Sequence, residues 1–189
     1  MALNDVALCS RALIRIGAAP LTAFDNNTAE AEIALSLFEP VTNALLSAYP
    51  WSFATGQVKL SKLATKPIAD YANAFALPSD FLRALSAGSG NRGRGLNYRI
   101  SRGALHTNAD SVVLTYIFSP ESEEFPPYFD QALITRLAAE FTIPVTESTS
   151  RAETLFRLAE NEYRRARQVD SQQDSPAALE DFTLVDVRH

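Results

Sequence analysis

The sequence predicts an α+β fold: a helical bundle built from the N- and C-terminal segments, an antiparallel β insertion between them, and an extended C-terminal tail. Three observations lead there. Apolar residues recur at three- and four-residue steps over 5–48 and again over 127–168. Between Trp51 and Phe118 that period is lost and short stretches alternate with period two instead. Residues 171–189 show neither pattern. The expected division is 1–50 and 119–170 for the bundle, 51–118 for the β insertion, and 171–189 for the tail.

The first helix is capped by Asn4, with Asp5 in the first turn, where a carboxylate suits the helix dipole. Val6, Cys9, Leu13 and Ile16 make its apolar stripe, and Gly17 and Pro20 end it. Asn27 followed by Glu30 resembles a capping box for a second helix over 29–48. Ile33, Leu37, Val41, Ala44, Leu45 and Ala48 are its expected buried face. Pro40 removes one donor inside it and predicts a kink, and Pro50 stops it.

In the insertion, Val58, Leu60 and Leu63 sit among lysines as in an exposed strand, and 71–77 reads as another. The stretches 98–105 and 112–118 read as a β-hairpin joined by a short polar link at 106–110. In the second of these, Val112, Leu114, Tyr116 and Phe118 point one way and Val113, Thr115 and Ile117 the other. Both faces are apolar, so this strand is expected to be central and covered on both sides. After an acidic link at 121–124, Pro126-Pro127 opens a third helix with the stripe Phe129, Leu133, Leu137 and Phe141, widened by Ile134 and Ala138 and ended by Pro144. Ser148 or Ser150 caps a fourth, reaching about Gln168, with Leu155, Leu158, Ala159, Tyr163 and Ala166 inward.

The 189 residues are 47% hydrophobic, 21% charged and 10% aromatic, enough for a real core and too apolar for a wholly disordered chain. The net charge of −5 argues against a general nucleic-acid coat. With Cys9 alone no intrachain disulfide forms, which fits a reducing compartment. The N-terminus lacks a signal-peptide pattern, and no apolar run approaches the roughly 18 residues of a membrane span. A soluble, mildly acidic globular protein is expected.

Motifs for chemistry are weak. Residues 88–93 match GxGxxG as a string, but a basic, glycine-rich stretch and a strand follow where a phosphate-binding helix would be needed, so a flexible hairpin tip is expected. One cysteine and two scattered histidines, His106 and His189, do not give the usual zinc spacing, and no nucleophile elbow accompanies them. His106 is expected in a polar turn and Cys9 in the core. Glu121, Glu123 and Glu124 have the residue type of paired catalytic acids, as in a cell-wall hydrolase, but read as a solvated link. No catalytic residue, metal site or cofactor is expected.

Charge is more informative once resolved along the chain. Between Asp80 and Asp110 there is no acid, but there are Arg83, Arg92, Arg94, Arg99 and Arg102, a net +5. Such a stretch suits DNA phosphates or an acidic protein surface, or is simply a solvated hairpin. The tail carries Asp174, Glu180, Asp181 and Asp186 against Arg188, a net −3, together with Leu179, Phe182, Leu184, Val185 and Val187. Expected to be mobile when alone, it carries more apolar residues than solubility requires, which suits binding.

Four segments together resemble the head-to-tail adaptor (connector) family of tailed phages, the group that includes tail tubular protein A of short-tailed phages and the adaptors of gene transfer agents. They are the opening Ala7-Leu8-Cys9-Ser10-Arg11-Ala12-Leu13 with Ile16-Gly17-Ala18 and Pro20-Leu21; the run from Ala44 to Ala54 through Tyr49-Pro50-Trp51-Ser52-Phe53; the step Phe75-Ala76-Leu77-Pro78-Ser79-Asp80; and the third helix through Ala132-Leu133-Ile134-Thr135-Arg136-Leu137-Ala138-Ala139-Glu140 and Ile143-Pro144-Val145-Thr146. In order, they cover most of residues 3–168. Pro40 and the Gly/Arg-rich 88–95 stretch depart from the family pattern.

Trp51 and Phe53 are expected to plug the seam between helices and sheet, Pro78 to set an extended turn and Asp80 to satisfy loop amides. The resemblance implies a structural virion protein of the neck or tail, made in the host cytoplasm. It would be a ring, typically dodecameric, beneath the portal protein. The ring passes the packaged DNA without sequence-specific binding and offers a platform for the next tail or neck ring. It further implies that the C-terminal segment docks on the portal, which singles out Leu179, Phe182, Leu184, Val185 and Arg188. Arg92, Arg94, Arg99 and Arg102 are candidates for the next ring or for DNA. The unassembled protein is expected to be a monomer.

Overall fold

The computed structural model describes residues 3–90 and 92–173. It holds α1 (Asp5–Arg15), α2 (Ala29–Ala48), β1 (Thr55–Lys59), β2 (Asn73–Ala76), β3 (Phe81–Gly88), β4 (Arg99–Ser101), β5 (Ala104–Thr107), β6 (Val113–Phe118), α3 (Pro127–Thr146) and α4 (Thr149–Asp170). The fold is α+β, as expected: helices from both chain ends pack together, and two small antiparallel sheets are inserted between them.

α1 begins where its sequence says. The Asn4 side chain accepts the Ala7 N–H at 2.9 Å, and Gly17, at φ +81, supplies the left-handed residue that ends it. Leu8, Cys9, Ala12 and Leu13 are buried. α2 departs in two ways. Its cap is Thr28, whose hydroxyl accepts the Ala31 N–H at 3.2 Å, so the box expected from Asn27 and Glu30 does not form. Asn27 instead takes a left-handed turn at φ +46. The buried face is Ala31, Ala34, Phe38, Val41, Thr42 and Leu46, about one residue round from the expected stripe. Ile33, Leu37 and Leu45 sit at its margin, and Ala44 and Ala48 are exposed. Apolar residues lie on most sides of this helix, so the period alone does not select a face. α2 runs through Pro40 unbroken.

α3 is the centre of the bundle, touching α1, α2 and α4. Phe129, Leu133, Leu137 and Phe141 are fully buried, with Ile134 and Ala138 beside them. Pro144 does not end it. The helix reaches Thr146 and closes at Glu147, which adopts φ +55 and bonds the Ile143 carbonyl at 2.9 Å. Ser148 caps α4, and Ala152, Ala159 and Ala166, seven residues apart, let it lie close against α3. Leu158, expected inward, is 42% exposed because it lies off that small-residue stripe.

The sheets correct the expected hairpin. The chain turns at Arg102 and Gly103 (φ +50 and +73), a two-residue type I′ pattern that folds 98–105 back on itself as β4 and β5. β5 pairs with β2 and β4 in one sheet, whereas β6 pairs with β1 and β3 in the other. His106 therefore lies in a central strand, opposite Ala74 and Arg99, and not in a turn. β3, which the alternation did not reveal, has two register shifts against β6. β6 is central, as expected, and its faces serve two cores. Leu114 and Tyr116 join Leu60, Phe75, Leu105 and Val112 between the sheets, while Ile117 enters the helical core.

The link from α2 to β1 closes the helical core. Trp51 is fully buried, its ring 5.1 Å from Phe129 and 5.6 Å from Tyr163 in edge-on contacts, and its Nε1 donates to the Leu45 carbonyl at 3.1 Å. Phe53 meets Phe125, Tyr128 and Phe129. Asp80 acts differently from expectation: its carboxylate accepts the Tyr116 hydroxyl at 3.2 Å instead of loop amides. None of the described helices is long and apolar enough to cross a membrane.

Trp51→Ala should lower the unfolding free energy by about 3–5 kcal/mol, measured by urea denaturation followed by far-ultraviolet circular dichroism; a loss under 1 kcal/mol would place Trp51 outside the core. Asp130, in the first turn of α3, buries one carboxylate oxygen without a hydrogen-bond partner among the described residues. Burial pushes its pKa up to about 6 against the opposing pull of Arg11. The folded state thus prefers the protonated form, so this contribution to stability is present below about pH 4 and is lost as pH rises through 6. Asp130→Asn should therefore gain stability relative to the parent between pH 4 and 7; a constant difference across that window would refute it.

Candidate functional site

The tail residues Leu179, Phe182, Leu184, Val185 and Arg188 lie outside the described residues. The structure does define where that segment leaves the bundle. α4 runs to Asp170, and Ser171 to Gln173 continue it as a turn, with backbone bonds to Arg167, Val169 and Asp170. The extended segment expected from 171 is thus not extended in its first three residues.

Asp170 is only 3% exposed. A carboxylate at the C-terminal end of a helix opposes the dipole, and burying it is costly unless donors surround it. Here they do. The Ser52 backbone N–H donates to its two oxygens at 3.2 and 3.0 Å, and the Ser52 and Tyr128 hydroxyls each donate to Oδ1 at 2.8 Å. Burial and the bond to Asp170 push the Tyr128 hydroxyl up to about 12. One carboxylate thereby joins the end of α4, the start of α3 and the α2–β1 link. Sequence reasoning missed this group. Its one sequence signal is an acid in the last turn of a helix, where bases are favoured.

Beside this anchor, Tyr49, Asn161, Arg164, Arg165, Gln168 and Ser171 border an open groove of about 700 Å³. Arg167 lies at its edge, its guanidinium 4.7 Å from the Tyr49 ring and 5.8 Å from Tyr163. The point from which the tail departs is therefore cationic and partly aromatic.

The basic stretch of the insertion is divided between the sheets. Arg83 lies on β3 and Arg92 and Arg94 follow it, whereas Arg99 and Arg102 belong to the β4–β5 hairpin of the other sheet. All five are exposed, and Arg99 pairs with Asp70 at 3.1 Å. The 88–93 stretch lies in the connection from β3 to the other sheet, and it turns back on β3: the Arg92 N–H bonds the Ser89 carbonyl at 3.4 Å and the Leu96 N–H the Ala87 carbonyl at 2.9 Å. Among the described residues no helix opens on it, and the Gly93 carbonyl is held against β3 and β6 by the Ser86 and Thr115 hydroxyls at 2.8 and 3.2 Å. Gly88 is needed there because a Cβ would collide with the Arg92 carbonyl.

Glu121, Glu123 and Glu124 are exposed around a short 3-10 turn (Ser122–Glu124) and do not border the groove at the end of α4. Cys9 is buried in the helical core, its thiol pushed up to about 12 by burial and by Asp5. Among the described residues no three of His, Cys, Asp and Glu converge as a metal-ligand set. No family model matches the chain, and no curated protein matches it in sequence.

Asp170→Ala leaves the Ser52 amide and the Tyr128 hydroxyl without their acceptor and should cost roughly 3 kcal/mol in denaturant unfolding. A neutral result would remove the anchor. For Tyr128 the folded pKa is the higher one, so its contribution is complete below pH 10 and falls away as pH rises through about 12. Tyr128→Phe should flatten the loss of stability over that alkaline range. An unchanged slope in the variant would show that Tyr128 does not hold its proton through Asp170.

Proposed function

We propose that this chain is a head-to-tail adaptor of a tailed-phage particle. It is a structural subunit, not an enzyme, assembled as a ring beneath the portal protein, dodecameric if it follows the family it resembles. The ring extends the channel for packaged DNA and carries the next tail or neck ring. It acts in the virion neck after synthesis in the host cytoplasm.

The observation that carries this reading is the arrangement of the chain ends. A rigid bundle delivers an acidic, apolar-studded segment from a fixed exit, the last turn of α4, which Asp170 ties to Ser52 and Tyr128. A segment of that composition gains its contacts by ordering against a partner, and ring symmetry multiplies a modest single contact into avidity. The four segments that resemble the family also have structural roles here: the Cys9 stripe and the third helix form core, Trp51 seals the α2–β1 link, and the Pro78–Asp80 step leads into β3. These motifs suit a shared scaffold. In this reading Leu179, Phe182, Leu184, Val185 and Arg188 contact the portal, and Arg92, Arg94, Arg99 and Arg102 face the next ring or the DNA.

The test removes residues 174–189, which preserves the Ser171 cap of α4, and mixes the product with purified portal. Electron microscopy should show portals without adaptor rings, while circular dichroism shows an unfolding midpoint equal to that of the full chain. Ring-on-portal assembly at the wild-type level would sink the docking role of the tail.

A further inference from the structure

α2 and α4 both pack along α3 but scarcely touch each other, which leaves a furrow on the outside of the bundle. Arg136 and Glu140 of α3 form its floor, Ala44 and Ala48 of α2 one wall, and Ala159 and Tyr163 of α4 the other, enclosing about 390 Å³. The small walls leave it open, and Ala44 and Ala48 are exposed although their spacing suits burial. The furrow meets the cationic groove where Arg167 stacks on Tyr49 and Tyr163. The chain leaves the bundle at that same end, because Ser171 borders the groove and residues 174–189 follow Gln173.

We propose that residues 174–189 of the same chain lie back along this furrow, their acids against the arginines and their apolar residues against the wall of Ala44 and Ala48. The charges of the two complement each other. The groove at Ser171 carries Arg164, Arg165 and Arg167, and the furrow beyond it offers the exposed Ala44 and Ala48 beside Tyr163, with Arg136 already paired to Glu140 and Glu160. The segment carries Asp174, Glu180, Asp181 and Asp186 among Leu179, Phe182, Leu184, Val185 and Val187, with Arg188 near its end, a net −3.

Length permits the match. Ala159 lies about 18 Å back along the helix from Ser171 at about 1.5 Å per residue, and ten extended residues span about 33 Å. Attachment at the mouth of the groove sets a local concentration in the millimolar range, so even weak docking is populated. The inference goes beyond the adaptor reading and does not need a portal. Its consequence for that reading is that the docking residues are covered until a portal competes for them.

The test uses the full chain with Val185→Cys carrying a nitroxide. Cys9 is buried in the core, so only the new thiol is labelled. Amide relaxation should be enhanced at Ala44, Ala48 and Ala159, and a label placed by Ala178→Cys should act on Arg164 and Gln168 instead. Reversing the exposed Arg164 and Arg165 to Glu should lower the docked-to-undocked ratio about fivefold, with circular dichroism checking that the helices persist. Three results would overturn the proposal: no enhancement at those amides, enhancement unchanged by the charge reversal, or enhancement seen only between labelled and unlabelled chains in a mixture, which would make the occupant a second copy.

Discussion

One buried carboxylate sets the geometry on which the rest of this structure depends. Asp170 stands at the end of the last helix, where the helix dipole disfavours it, and accepts bonds from Ser52 and Tyr128. Ser52 lies between Trp51 and Phe53, and the rings of both pack into the helical core. The aromatic contacts and the carboxylate thus hold the same few residues. They fix where the β insertion begins, how α3 and α4 are aligned, and where the chain leaves the bundle. The donors that make the burial tolerable come from parts of the chain 118 and 42 residues away. Removing the acid therefore loosens an assembly and not a single contact.

The insertion is held by a second constraint. The two three-stranded sheets bury their apolar faces against each other, sharing a core built around Phe75, Leu105 and Leu114. β6 passes between that core and the bundle, giving Leu114 and Tyr116 to one side and Ile117 to the other. After β1, Leu60 bonds the Val112 carbonyl and Leu63 the Ala74 carbonyl, so the chain crosses from one sheet to the other within a few residues. The insertion consequently packs on the helices as one body with two faces.

Much of this was legible in the sequence, and the misses have a common cause. α1 could be read because cap, stripe and stop agree, as with Asn4, the Leu8–Leu13 face and Gly17, and α3 because its double-proline opening and four-residue stripe agree, although its end lies beyond Pro144. β6 was readable because alternation with apolar residues on both faces requires two covers. The face of α2 was not, since its apolar residues occupy several sides and only packing on α3 chooses among them. The β4–β5 turn was hidden because Arg102-Gly103 lacks the usual Asn-Gly or Asp-Gly signal, and that error displaced the strand pairing that followed. Asp170 was invisible for a different reason. Its partners lie far away in sequence, and its one local signal, an acid in the last turn of a helix, is shared by solvated acids.

The fixed end of α4 rests on Asp170 holding the Ser52 amide inside the fold, and hydrogen exchange at that amide tests it most directly. If the carboxylate accepts this N–H as the structure has it, the Ser52 amide exchanges only through global unfolding, at a rate matching the fully buried core of α3. Exchange at the rate of an exposed turn would mean that the end of α4 is not tied to the α2–β1 link, and the fixed exit of the C-terminal segment would be lost with it.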